Sequence, residues 1–279
     1  MIDYHSKVTF NIDDIKLLYK QKFFLKGLFL LKIFKAKKII TMNPRNPEAQ
    51  YMSVLDGKIV QVGDLNTIKP EGKYELDKSF ENYVLMPGLV EGHSHLFEGA
   101  LWSKLYCGYF DRQKPDGAMS LGIKNVKELV QKLKHENETL LDPNAPLAGW
   151  GLDPIYFDDK ALDRKILDEV SDQRPIGILH ASGHKLNINS VGLKLAGFLR
   201  TGINHEGLPL GEDGLPSGEI RGAETIALVT RHVGLGKDWL SGDAEGLRNF
   251  GKICARAGVT TAADLANLQT DEAVEMMLK

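Results

Sequence analysis

The chain has 279 residues, 43% of them hydrophobic and 26% charged, an ordinary globular composition with length enough for one large domain or two smaller ones. Its 35 basic and 37 acidic side chains leave a formal charge of −2, so no electrostatic footprint favours nucleic acid or an anionic membrane surface, and a small neutral or mixed-charge substrate stays open. Two cysteines, Cys107 and Cys254, are too few for a disulfide framework and fit a reducing, cytoplasmic setting.

The first apolar stretch, Phe23 to Phe34, is interrupted by Lys26 and Lys32 and follows Asp13 and Asp14. It is too short to span a bilayer and poorly built as a signal peptide, so no membrane span is expected. Residues 1–34 read as a leader packed onto the main domain, with a membrane-surface or partner contact as the alternative.

Short strands are then expected at Lys38–Met42, Tyr51–Leu55 and Lys58–Val62, with Asp56-Gly57 closing a hairpin. Residues 35–85 therefore read as the N-terminal part of a small antiparallel β-sandwich. From Tyr83 the pattern changes. The run Val84 to Val90 looks like a strand buried on both faces of a parallel sheet. Strands are expected at Pro146–Trp150, Ile176–His180 and Val259–Ala263, and helices at Val126–Lys134, Ala161–Val170, Ile188–Ala196, Ala244–Ala257 and from Asp271 onward. Such β/α alternation over 86–279 implies a parallel barrel with its chemistry at the carboxyl ends of the strands.

The strongest local signal is Gly92-His93-Ser94-His95 at the end of the first barrel run. Side chains two apart on a strand share a side, so both imidazoles would converge on one point. Two neutral imidazoles make half of a tetrahedral site for zinc or a related divalent ion. The alternative is a pair of hydrogen-bonded core histidines.

The segments Lys38–Asn43, Asp56–Gly63 and Met86-Pro-Gly-Leu-Val-Glu-Gly-His-Ser-His95 together resemble the opening of the amidohydrolase superfamily. Gly149–Asp153, Ala181–Ser190, Gly214–Glu219 and Gly258–Thr261 are similar to its amidohydrolase family 3 group, which includes N-substituted formamide deformylases. The resemblance covers roughly residues 35–279 and is to an N-terminal half. It implies an α/β fold, an incomplete TIM-like (β/α) barrel with a small β-sandwich formed in part by the N-terminal strands. It also implies a divalent metal, zinc by preference, and hydrolysis of a small amide-type substrate at a C–N bond. By the same resemblance His93 and His95 are metal ligands, and His184 and Glu219 are substrate-binding candidates. For His184 the alternative is a histidine bonded to nearby backbone, and for Glu219 a solvated loop carboxylate. Trp150 reads as packing, and Asp264, just past its strand, as structural.

Relatives of this kind continue for about as many residues again, and that half supplies further histidines and the aspartate that handles the catalytic proton. The expectation is therefore a truncated hydrolase lacking part of its site, with association through exposed barrel edges. Two other readings compete with it: a non-catalytic fragment that needs a complementary half or partner chain, and a metal-independent binding protein.

Overall fold

A computed structural model of the chain describes residues 31–68, 70, 72–157, 162–236, 244–264, 271 and 275. Residues 1–30 of the expected leader lie outside them, as does almost all of the helix expected from Asp271. The described residues up to Gly88 form one compact unit, and those from Leu89 form another.

The first unit is a sheet of β1 (Leu31–Ile40), β2 (Glu48–Leu55), β3 (Lys58–Gly63) and β4 (Tyr74–Leu85), with a single turn of helix, α1 (Leu65–Ile68), after β3. The expected hairpin forms: Asp56 and Gly57 have φ of 52° and 72°, the left-handed pair whose twist matches that of the flanking strands. β1 already includes Leu31–Lys37 ahead of the expected Lys38, because Leu31 and Ile33 face inward as Ala36 and Ile39 do.

The sheet order is β3-β2-β1-β4, and β4 lies parallel to β1, so the sheet is mixed rather than antiparallel. Apolar alternation could not reveal β4, because ion pairs help hold it to β1. Lys32 meets Glu75 at 3.2 Å and Asp77 at 3.0 Å, and Lys35 meets Glu81 at 3.3 Å.

The apolar run Val84 to Val90 is not one buried strand. Val84 and Leu85 end β4, residues 86–88 around Pro87 belong to no strand, and Leu89 opens β5 (Leu89–Ser94), where Leu89 is 47% exposed and Val90 71%. Proline lacks the N–H that a continuing ladder would need.

After β5 come α2 (Glu98–Leu101), β6 (Leu105–Tyr106), the small hairpin β7 (Arg112–Gln113) and β8 (Met119–Ser120), α3 (Val126–Thr139), β9 (Leu147–Leu152), α4 (Arg164–Asp168) and β10 (Ile176–His180). Then follow β11 (Lys185–Ile188), α5 (Ser190–Leu195), β12 (Glu219–Arg221), α6 (Ala223–Val229), α7 (Ala244–Arg256) and β13 (Val259–Asp264). The strands do not share one parallel sheet. Among the described residues β5 pairs in parallel with β13 alone, while β12-β11-β10-β9-β6 make a separate mixed sheet whose first two strands run antiparallel to their neighbours. The chain between α2 and α7 is thus inserted between two adjacent parallel strands.

The inserted sheet has a dense core. Every residue of β9 and β10 is buried, so their sequences read as continuous apolar runs. On one face they pack with Leu129 and Leu133 of α3, one helical turn apart. That helix begins at Asn125, whose side chain accepts from the Glu128 amide at 2.9 Å. The stretch Ile188–Ala196 is not wholly helical, because Lys185–Ile188 extends the sheet and Asn189 caps the shorter α5. Asn189 Oδ1 accepts from the amides of Gly192 and Ile176, and its Nδ2 donates to the carbonyls of Ser171 and Arg174. One buried side chain thereby joins a strand start, a helix start and a loop.

Candidate active site

The carboxyl ends of β5, from one sheet, and of the parallel pair β9 and β10, from the other, border one cleft of about 830 Å³. Such strand ends are where open α/β sheets place ligands. β5 contributes His93 and His95. β9 contributes Trp150 with Asp153 just beyond it, and β10 ends at His180, followed by Ser182 and His184 in the turn to β11.

Alternation along β5 puts His93 and His95 side by side, their rings 5.2 Å apart and nearly perpendicular. Neither is a core residue. His93 is exposed, and its imidazole has no hydrogen-bond partner among the described residues. His95 stacks on Phe97 at 5.0 Å, and its Nδ1 lies 3.4 Å from Oδ1 of Asp264 at the end of β13. The two strands are pinned there, Ser94 Oγ donating to the Ala263 carbonyl at 3.0 Å. Asp264, read from sequence as structural, therefore stands beside the histidine pair.

His184 is exposed on the same cleft as the pair, and the carbonyl of its residue accepts from the Gly222 amide at 3.0 Å. Glu219 does not border that cleft. It lines a smaller cavity of about 140 Å³ with Asn187, Lys185 and Leu162, and it accepts from Arg221 Nε at 2.6 Å with Lys185 Nζ at 3.3 Å. Burial pushes its carboxyl up, but Arg221 and Lys185 outweigh burial and leave it below its ordinary value.

His180 was not singled out by sequence, although it ends a buried parallel strand, the one signal that could have found it. It borders both cavities, and burial holds its imidazole below its ordinary value against the opposing bond to Asn187.

Aromatic side chains line much of the large cleft: Phe97, Tyr106, Tyr109, Phe110, Trp150 and Tyr156. Trp150 is 5% exposed and packs edge-on against Trp102 and Tyr106 as well as facing the cleft. The indole N–H groups of Trp102 and Trp150 are buried without a partner among the described residues. Arg112 lies over both indoles, and Glu98 neutralises it at 2.7 Å.

Among the described residues no cluster of three or more His, Cys, Asp or Glu side chains could hold a metal ion. No helix there is long and apolar enough to cross a membrane.

The sequence family described as the amidohydrolase family matches residues 81–279. Protein LONG AFTER FAR-RED 3 of Arabidopsis thaliana is 28% identical over 233 residues, 81% of this chain and 37% of that one. YtcJ of Bacillus subtilis is 26% identical over 185 residues, 64% of this chain and 32% of that one. An uncharacterized metal-dependent hydrolase from Pyrococcus horikoshii OT3 superposes with a TM-score of 0.53 at 16% identity, over 89% of this chain and 45% of that chain, a likeness of fold. The chain thus spans about a third of the length of these curated relatives.

Proposed function

The chain belongs to the amidohydrolase family, and from that premise we propose that it carries the opening of a metal-dependent hydrolase of amide-type C–N bonds. The observation that carries this reading is the convergence of His93 and His95, at the carboxyl end of β5, on a cleft large enough for a small molecule. In this reading β5 and β13 are two neighbouring strands of a TIM-like barrel, the first unit is part of a β-sandwich, and the inserted sheet forms a wall of the substrate cleft.

The pair fits a divalent ion as two of its ligands. Neutral imidazole nitrogens are the donor chemistry of a zinc centre, and a carboxylate behind such a ligand is its usual outer partner, so zinc is the ion we assign. When bound, such an ion supplies positive charge to polarise an amide carbonyl and to acidify a water. Further ligands and a proton-handling aspartate would come from the additional length that the curated relatives carry.

The chain's own residues would select and orient the substrate. The rings along the cleft offer apolar and edge-on contacts, and Glu98 cancels the charge of Arg112, which together suit a neutral amide bearing a flat or bulky apolar group. His184, in the turn after β10 and bordering the same cleft, would contact that substrate from the inserted wall. Glu219, held by Lys185 and Arg221, would instead brace the strand ends behind it. Both cysteines are free, which supports a cytoplasmic setting.

The test is metal content and turnover of the purified chain, alone and extended by a relative's C-terminal half, on N-acyl and N-formyl amines in added zinc. Stoichiometric metal that disappears in the His93→Ala, His95→Ala double variant supports the site. Undiminished metal in that variant refutes it.

A second reading, a non-catalytic chain that acts by associating with a complementary segment or partner, is favoured by the exposed ribbon of β5 and β13, where Leu89 and Val90 face solvent. Under this reading the chain alone turns over no substrate even when loaded with zinc.

A further inference from the structure

We propose that Asp264 is a positioning residue for the metal centre, holding His95 in the tautomer that leaves Nε2 free to bind an ion. The proposal rests on the reading of His95 as a ligand, but its central claim concerns the imidazole itself and can be tested without metal.

Asp264 Oδ1 lies 3.4 Å from His95 Nδ1. An ionised carboxylate only accepts, so the contact requires the proton on Nδ1, and Nε2 keeps its lone pair. A neutral histidine in water prefers the opposite arrangement, so the carboxylate changes the distribution. It is well shielded, with its side chain 12% exposed against 41% for the imidazole, which strengthens its hold on the N–H.

The rest of the surroundings fix the ring in the same sense. Phe97 lies nearly parallel to it, 13° between planes, and sets the ring's plane. Ser94, the residue preceding His95, is the register partner of Asp264 across the β5–β13 pair, and its hydroxyl bonds to the Ala263 carbonyl. The carboxylate therefore cannot slide along the strand without breaking that bond. Metal-binding histidines characteristically donate their other N–H to a carboxylate or carbonyl, which orients the ring and raises its basicity. Here the carboxylate arrives from 169 residues away. The His-x-His motif thus gains this support only when β13 docks on β5.

The experiment uses the full chain with ¹⁵N-labelled histidine. Long-range ¹H–¹⁵N spectra without metal, at a mildly alkaline pH where imidazoles are neutral, report the tautomer of His95, assigned by its loss in His95→Gln. Zinc affinity is measured in parallel by chelator competition. The wild type should show the Nδ1–H form. Asp264→Ala should move His95 toward the Nε2–H form and weaken zinc binding about 10- to 100-fold. Asp264→Asn, whose amide oxygen still accepts, should keep the tautomer and most of the affinity. An Nε2–H tautomer in the wild type overturns the proposal whether or not the variants fold. So does a folded Asp264→Ala protein with tautomer and affinity unchanged. The expected tautomers with no zinc binding in the wild type would support the role of Asp264 and sink the metal reading instead.

Discussion

The imidazole of His180 and the side-chain amide of Asn187 meet at 2.5 Å, Nε2 to Oδ1, across the antiparallel pair of β10 and β11. Asn187 Nδ2 donates to the Leu162 carbonyl at 2.6 Å, which fixes which way round the amide lies. Nε2 of His180 must therefore carry the proton that it donates, and a neutral ring keeps an acceptor at Nδ1. The cleft wall is built around a histidine held neutral.

Stability should fall on mild acidification because of this residue. Burial depresses the folded-state value of His180 below its ordinary 6.5, so in the window between the two values the unfolded chain binds more protons. The contribution is fully present above the unfolded value and is lost progressively as pH falls from that value through the lower folded one. Urea midpoints from about pH 8 down to about pH 5 should decline in the wild type, and the decline should flatten in His180→Gln. Identical slopes in the two proteins would show that His180 is not the group responsible.

Gly99 is where α2, immediately after the histidine strand, meets α7, immediately before β13. A Cβ built at Gly99 would lie 1.9 Å from the Gly246 carbonyl oxygen and 2.7 Å from the Phe250 amide nitrogen. Backbone on both sides leaves nothing soft to yield. Gly99→Val should cost about 1–3 kcal/mol or more in denaturant unfolding, and a neutral result would mean that the two helices separate freely.

Arg174 is 5% exposed and satisfied by carbonyls instead of a carboxylate. Its guanidinium donates to Asn137 Oδ1 at 2.7 Å, to the Asp142 carbonyl at 2.7 Å, to the Leu140 carbonyl at 3.1 Å and to the Ala145 carbonyl. This fan of acceptors fits a planar fork with five N–H groups and not a single ammonium. Arg174→Lys should therefore destabilise by about 2–3 kcal/mol, nearly as much as Arg174→Ala, as measured by chemical denaturation.

At the cleft mouth Phe110 and Tyr156 meet edge-on at 5.0 Å while remaining 54% and 46% exposed. If they receive an apolar substituent, phenylacetamide should bind better than acetamide, and Tyr156→Ala should reduce that preference by up to about tenfold with the fold unchanged. Titration calorimetry on metal-free protein reads this directly. Equal affinities for the two amides would remove the aromatic wall from the substrate site.

The sequence by itself determined the elements whose cause is local. Asp56-Gly57 takes the left-handed turn its residue types favour, Asn125 caps α3, and alternation puts His93 and His95 side by side, whatever the rest of the chain does. The apolar runs Ile176–His180 and Leu147–Leu152 announce buried strands for the same reason. Tertiary structure alone decided which strands are neighbours, since apolar strands carry no mark of their partner. Val259–Asp264 thus pairs with Leu89–Ser94, while Ile176–His180 belongs to another sheet. It also decided the surroundings of each histidine: Asp264 reaches His95, and Asn187 fixes His180, through contacts made across strands. Those contacts depend on register and burial, which exist only once the chain has folded.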